Sequence, residues 1–158
     1  MKKKKDQRVP LVRLHAEKCR KSKFDARPDL PARQKMLRGI DLSDESLSQI
    51  VVHDADLAQA NFARAKLSEA ELVECDLRQA NFTSADLTEC NFFGSDLSGS
   101  DFTDASITLA RFENCVLNGI KGMIIFPKSE QKVSTKGKLI VQAESDKRLT
   151  IKKAFFSL

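Results

Sequence analysis

Asp56, Asp76, Asp86, Asp96 and Asp101 stand at multiples of five residues from one another, and Asn61, Asn81 and Asn91 fill the same phase. Paired carboxylates serve as general acid and base where a cleft pulls their proton affinities apart. The other reactive groups are sparse: Cys19, Cys75, Cys90 and Cys115, with His15 and His53. His15 precedes Cys19 by four residues, a helical spacing that could present both to a metal, but two ligands are too few for a site. Neither histidine has a nucleophile partner. No G-x-x-x-x-G-K-[ST] or G-x-G-x-x-G run occurs, so no phosphate-cradling loop is expected. The expectation is no catalytic residue, no metal site, no cofactor and no enzyme activity.

What positions these residues is a rhythm. In "ANFARAKLSEAELVECDLRQANFTSADL", residues 60–87, a Leu or Phe recurs at every fifth position with a small residue two places before it. A step of five turns an α-helix by about 500°, which scatters the large residues around the cylinder. On a straight strand, residues five apart point to opposite faces. A short extended piece does place a residue and its neighbour two before on one face, so the chain must turn once per five residues to bring the next pair inward. The large centres run Leu42, Leu47, Val52, Leu57, Phe62, Leu67, Leu72, Leu77, Phe82, Leu87, Phe92, Leu97, Phe102, Ile107, Phe112 and Leu117 without a slip. Cys75, Cys90 and Cys115 occupy the small inward position and read as buried apolar side chains. Glu45 is the one residue of that column that is neither small nor apolar. The Asp or Asn before each centre reads as an acceptor for backbone N–H groups at the corners.

This pattern, A(D/N)LXX over residues 40–119, resembles the pentapeptide-repeat family. The resemblance implies an all-β solenoid: a right-handed quadrilateral β-helix, four repeats to a coil and about four coils, roughly 19 Å tall at strand spacing. Residues twenty apart then stack. Leu42, Phe62, Phe82 and Phe102 form one column, facing Val52, Leu72, Phe92 and Phe112, and Cys75 lies two coils from Cys115, about 10 Å, beyond the ~7 Å reach of a disulfide.

Charge divides the chain. Residues 1–40 carry net +10, residues 41–119 net −11 and residues 120–158 net +6, within the overall +5. The expected organisation is a basic N-terminal arm and helical cap over 1–39, the β-helix with its C-terminal cap over 40–126, and a basic linker with a C-terminal β-hairpin over 127–158. "PLVRLHAEKCRKSKF" suggests a basic helix beginning near Pro10, a mobile arm. "DLPARQKMLRG" suggests a second cap helix, with Asp29 at its start, Gly39 as its stop, and Met36 and Leu37 plugging the first coil. "KLIVQAE" and "LTIKKAFF" read as hairpin strands. The N-terminus has no apolar signal region, and no stretch approaches the ~20 apolar residues of a membrane span, so the expected compartment is the cytoplasm.

Function is then a matter of surface. The outward position after each centre stacks His53, Val73, Phe93 and Glu113, making a Val73–Phe93 apolar strip between Asp54, Glu71 and Glu74. The candidate contact residues are Val73 and Phe93, the basic Arg13, Lys18, Arg20, Lys21 and Lys23, and Phe155 and Phe156 of the tail, which would cover the strip in its own chain or in another. The reading favoured is a non-catalytic scaffold component of a larger assembly, with protein partners at the arm and tail; the arm could also meet nucleic acid or an anionic membrane surface, and homo-oligomers are open. The resemblance supplies two alternatives. One is a DNA-mimicking modulator of type II topoisomerase, like the quinolone-resistance members, and the other a secreted bacterial effector.

Overall fold

A computed structural model describes residues 6–23 and 26–122. Its backbone is a solenoid in which each segment pairs in parallel with the segment twenty residues on, from Met36↔Asp56 and Asp41↔Asn61 to Asp96↔Val116 and Asp101↔Lys121. Twenty residues are four pentapeptides, so each turn of the coil has four corners. Two segments are regular strands, β1 (Val51–His53) and β2 (Glu71–Val73), paired with Val52 opposite Leu72.

The corners explain the period. The N–H of Ala60 donates to the carbonyl of Leu57, that of Ala65 to Phe62 and that of Ala80 to Leu77, each at 3.0 Å, and the residue before the donor has positive φ, as at Gln59 (60°), Arg64 (59°) and Gln79 (58°). A four-residue turn with a left-handed third residue reverses the chain in the shortest length. Left-handed backbone costs a non-glycine residue about 1–2 kcal/mol. Here it also turns the N–H toward the next coil, where Gln59 donates to Arg78 and Arg64 to Thr83. The corner at β2 is built otherwise: the N–H of Cys75 donates to Ser95 Oγ (2.9 Å), which itself donates to the Leu72 carbonyl (2.8 Å), so a buried hydroxyl completes the turn.

Inside, the expected columns stand. Phe62, Phe82 and Phe102 stack with ring centroids 5.0 Å apart, Phe92 stacks on Phe112 at 5.0 Å, and the two stacks meet edge to face at 5.7–6.2 Å. Such contacts add about 0.5–1.5 kcal/mol per pair to area burial. The other two columns are the buried leucines around Leu57, Leu77 and Leu97 and around Leu47, Leu67 and Leu87. Outside, each Asp or Asn before a centre accepts the N–H two residues on, as Asp56 from Ala58, Asn81 from Thr83 and Asp101 from Thr103. Along one edge Asn81 donates to Asn61 and Asn61 to Asp41, a side-chain ladder parallel to the backbone one.

The N-terminal end departs from expectation. The basic segment is a helix, α1 (Arg8–Lys21), starting two residues before Pro10, and it is not a free arm: Val12, His15, Ala16 and Cys19 are buried on its inner face. Among the described residues no second α-helix follows; a single turn of 3-10 helix, Ala32–Gln34, leads into the ladder. Met36 opens that ladder and is 71% exposed, so it plugs nothing. Leu37 is buried and occupies an inward centre five residues before Leu42, and Gly39 (φ +64) is the corner of this earlier repeat, its N–H on the Ala58 carbonyl, in place of a helix stop. Asp29, expected as a helix cap, accepts the His53 N–H (2.9 Å) and pairs with Lys35 (2.7 Å). The expected C-terminal cap beyond Gly122 and the hairpin lie outside the described residues.

Candidate functional site

Two surfaces hold the expected contact residues. The first is α1. The first coil has no coil beneath it, so its downward carbonyls lack ladder partners, and side chains from the N-terminal segment take their place. Arg8 Nη1 donates to Met36 O (3.0 Å), Arg20 Nη1 to Ser46 O (3.0 Å), and the backbone N–H of Leu30 to Val51 O (3.2 Å). His15 Nε2 also bonds Val51 O, at 2.9 Å. Arg13 chelates Glu45, which explains why that one inward position tolerates a carboxylate. Arg27, its side chain 3% exposed, pairs with Glu71 and donates to the carbonyls of Gln49 and Glu69, joining two coils.

The predicted basic cluster therefore divides by task. Arg13 and Arg20 turn toward the rod, while Lys18, Lys21 and Lys23 stay exposed. Leu11 and Leu14 join the exposed set, at 45% and 51%. The buried side of the helix is the stripe Val12, Ala16 and Cys19, one position round from these two leucines.

The second surface is the strip. Val73 lies beside His53 in the β1–β2 register, and the Phe93 carbonyl accepts the Glu74 N–H (2.8 Å), so the column His53, Val73, Phe93, Glu113 stacks as the phase requires. Val73 is half-buried and Phe93 is 37% exposed. Phe155 and Phe156 lie outside the described residues.

The remaining chemistry is structural. The His15–Cys19 pair closes to 3.6 Å, but its thiol also faces Pro28 O and burial pushes that thiol up, away from the thiolate a metal or substrate requires. Burial likewise pushes Cys75 and Cys115 up to about 12. Among the described residues no group of three His, Cys, Asp or Glu side chains is placed to hold a metal, and no helix is long and apolar enough to cross a membrane. The carboxylates of one face are already engaged: Arg78 pairs with Asp76 and reaches Asp96 (4.0 Å), and Arg38 pairs with Asp56 (3.0 Å) and reaches Asp76 (3.5 Å).

Residues 47–122 match the family model of the pentapeptide repeat region. No curated protein matches the sequence. Among solved structures, the chain is similar to the pentapeptide repeat protein Rfr23 from the cyanobacterium Cyanothece 51142, with 26% identity over 59% of this chain and 67% of that one, at a TM-score of 0.44. It is also similar to a trypsin-treated form of QnrB1, a plasmid-mediated fluoroquinolone resistance protein, with 20% identity over 58% of this chain and 52% of that one, at a TM-score of 0.41. HetL, a pentapeptide repeat protein involved in heterocyst differentiation regulation in Nostoc sp. strain PCC 7120, shares 21% identity over 59% of this chain and 56% of its own, at a TM-score of 0.20. The chain thus spans little more than half of QnrB1 and HetL. The five-residue pattern, the twenty-residue ladder and the family match together identify residues 47–122 as a pentapeptide repeat region.

Proposed function

We propose that this protein is a non-catalytic scaffold, a right-handed four-coil rod that holds contact surfaces at fixed positions in a larger assembly. The observation that carries this reading is the pairing of solvent-reaching apolar side chains with free charge at two separate places: exposed Leu11 and Leu14 beside Lys18 and Lys21 on α1, and half-buried Val73 with exposed Phe93 beside Glu74 on the rod. Exposed apolar groups rimmed by charge are the usual mark of a protein contact. The rod itself is filled with stacked rings and leucines, which suits a spacer and leaves no interior for a substrate. The basic N-terminal segment over 1–39, the rod over 40–126 and the basic tail over 127–158 are the three working parts of this reading, and a reducing cytoplasm suits its buried free thiols.

The acidic charge of the rod, net −11 over residues 41–119, is what favours the second reading, mimicry of DNA toward a type II topoisomerase. The ion pairs of Asp56, Asp76 and Asp96 with Arg38 and Arg78 weaken it, since they neutralise the carboxylate row that such a mimic would present. Affinity capture from the native host tests the first reading with three full-length baits: wild type, Lys18→Glu/Lys21→Glu/Lys23→Glu, and Phe93→Ser. Surface variants are used because removing α1 would uncover the first coil. Partners held by wild type and lost from either variant are expected; identical recoveries from all three baits would overturn it. Inhibition of gyrase supercoiling by the wild-type chain, relieved in Asp76→Asn/Asp96→Asn, would favour mimicry instead.

A further inference from the structure

The outer face of α1 and the strip on the rod match each other. On α1, Leu11 and Leu14 lie one turn apart and Lys18 and Lys21 continue the same stripe toward the helix C-terminus, with Glu17 the one carboxylate among them. Neither lysine has an ion-pair partner among the described residues. On the rod, Val73 and Phe93 stack in one column, and Glu74 and Glu113 stand beside them, also without an ion-pair partner among the described residues. Glu71 belongs to the interior bookkeeping of the cap, held by Arg27, and does not contribute. Each patch is therefore two apolar side chains next to two charges, and the charges are opposite.

The match cannot be made within one molecule. Arg8, Arg13, His15 and Arg20 pin α1 to the first coil, and the buried stripe Val12, Ala16 and Cys19 faces the rod, so Leu11 and Leu14 point away from it. We propose that the outer face of α1, Leu11, Leu14, Lys18 and Lys21, docks on the Val73–Phe93 strip and its flanking Glu74 and Glu113 in a second copy of this chain. The proposal rests on reading both patches as contact surfaces and adds the identity of the partner. Such a contact either closes reciprocally into a two-fold pair, in which each copy gives both patches, or is heterologous and propagates into a ring or a chain of copies. The partition of charge, a basic end against an acidic side, orients the encounter although the whole chain is net positive. Each contact rests on few side chains, so the association it predicts is weak and concentration-dependent.

Sedimentation of the purified full-length chain decides the matter. At low salt the wild type is expected to rise in mass between about 10 µM and 1 mM, and to lose that rise at about 1 M salt, where charges are screened within ~3 Å. Lys18→Glu/Lys21→Glu and Glu74→Lys/Glu113→Lys should each weaken association at least about tenfold, with melting temperatures unchanged, and a chain carrying all four substitutions should recover it because the charges attract again. A wild type that stays monomeric over the whole range overturns the proposal. So does association that ignores the swaps, or a Phe93→Ser chain that is monomeric and melts lower than a monomeric wild type, which would mean the strip is covered within one chain. Host partners lost from the surface variants, with purified protein monomeric, would leave the scaffold reading standing and remove only this inference.

Discussion

The rod and its N-terminal end solve one problem in two ways. Every coil within the rod satisfies its backbone through the coil above and the coil below, by the same bonds at the same places, such as Asn61 N–H to Ile40 O and Asn81 N–H to Ala60 O. The first coil has no neighbour beneath, and its carbonyls are met one by one by Arg8, His15, Arg20 and the Leu30 N–H. The difference teaches that a repeat stabilises its interior by translation alone, whereas an end needs residues that occur once. An exposed ladder edge is a template for pairing with other chains, so the end must be closed with care. The basic charge of the N-terminal segment, which in isolation suggests a ligand, is spent in large part on this closure.

Breaking the rod should have the largest effect. Phe82 lies between Phe62 and Phe102, so Phe82→Asp places an unpaired carboxylate inside the ring stack and is expected to abolish folding, and Phe82→Ala should cost about 3–5 kcal/mol. Chemical denaturation followed by circular dichroism measures both. A soluble, cooperatively melting Phe82→Asp chain would refute the inward register.

Breaking the cap should come next and should distinguish it from a surface pair. Arg27 is buried on Glu71 and two carbonyls, so Arg27→Ala is expected to cost about 2–4 kcal/mol by stranding those acceptors. Arg78 pairs with Asp76 on the open face, where solvent screens the pair, and Arg78→Ala should cost clearly less than Arg27→Ala. Equal losses in the two variants would deny the end any special role.

Acid should loosen both regions together. The bond from Arg78 holds the Asp76 carboxyl below its usual range, and the Thr103 hydroxyl does the same for Asp101. At Asp29 burial pushes upward, but the bonds from Lys35 and the His53 N–H outweigh it and the net direction is down. A depressed folded value means the stabilisation is present above the unfolded carboxyl value of about 3.9 and disappears as pH falls through the folded values. The melting temperature should therefore be flat from about pH 7 to 5 and fall progressively below about pH 4. A melting temperature that rises on acidification would contradict these pairs.

The smallest effect tests the corners. Ser84 has φ 57° with its side chain exposed, so Ser84→Gly should stabilise by about 0.5 kcal/mol, the left-handed strain relieved exceeding the added chain entropy. Gly99 sits at φ +72°, and Gly99→Ala should lose about 1 kcal/mol or slightly more. Opposite signs in thermal melts are the expected result.

The sequence by itself determined the rod. A centre every fifth residue is a local pattern repeated sixteen times, so the inward columns, the Phe stacks, the corner acceptors at Asp56 or Asn81 and the outward place of Phe93 all follow from phase alone. Only the tertiary structure decided the end. Leu37 and Gly39 form one more repeat, but Met36 and Lys35 before them lack the usual signature, so the pattern's start was hidden until the ladder bond to Asp56 placed it. Which face of α1 is buried was hidden as well, because its apolar residues, Leu11, Val12, Leu14, Ala16 and Cys19, surround most of the helix and nothing local ranks them. The choice fell to Glu45 and the carbonyls of Met36, Ser46 and Val51, which lie 26 to 36 residues away and fix the helix through Arg8, Arg13, His15 and Arg20. Periodicity is information each five-residue window carries; a cap is an agreement between distant residues, and only folding brings its parties together.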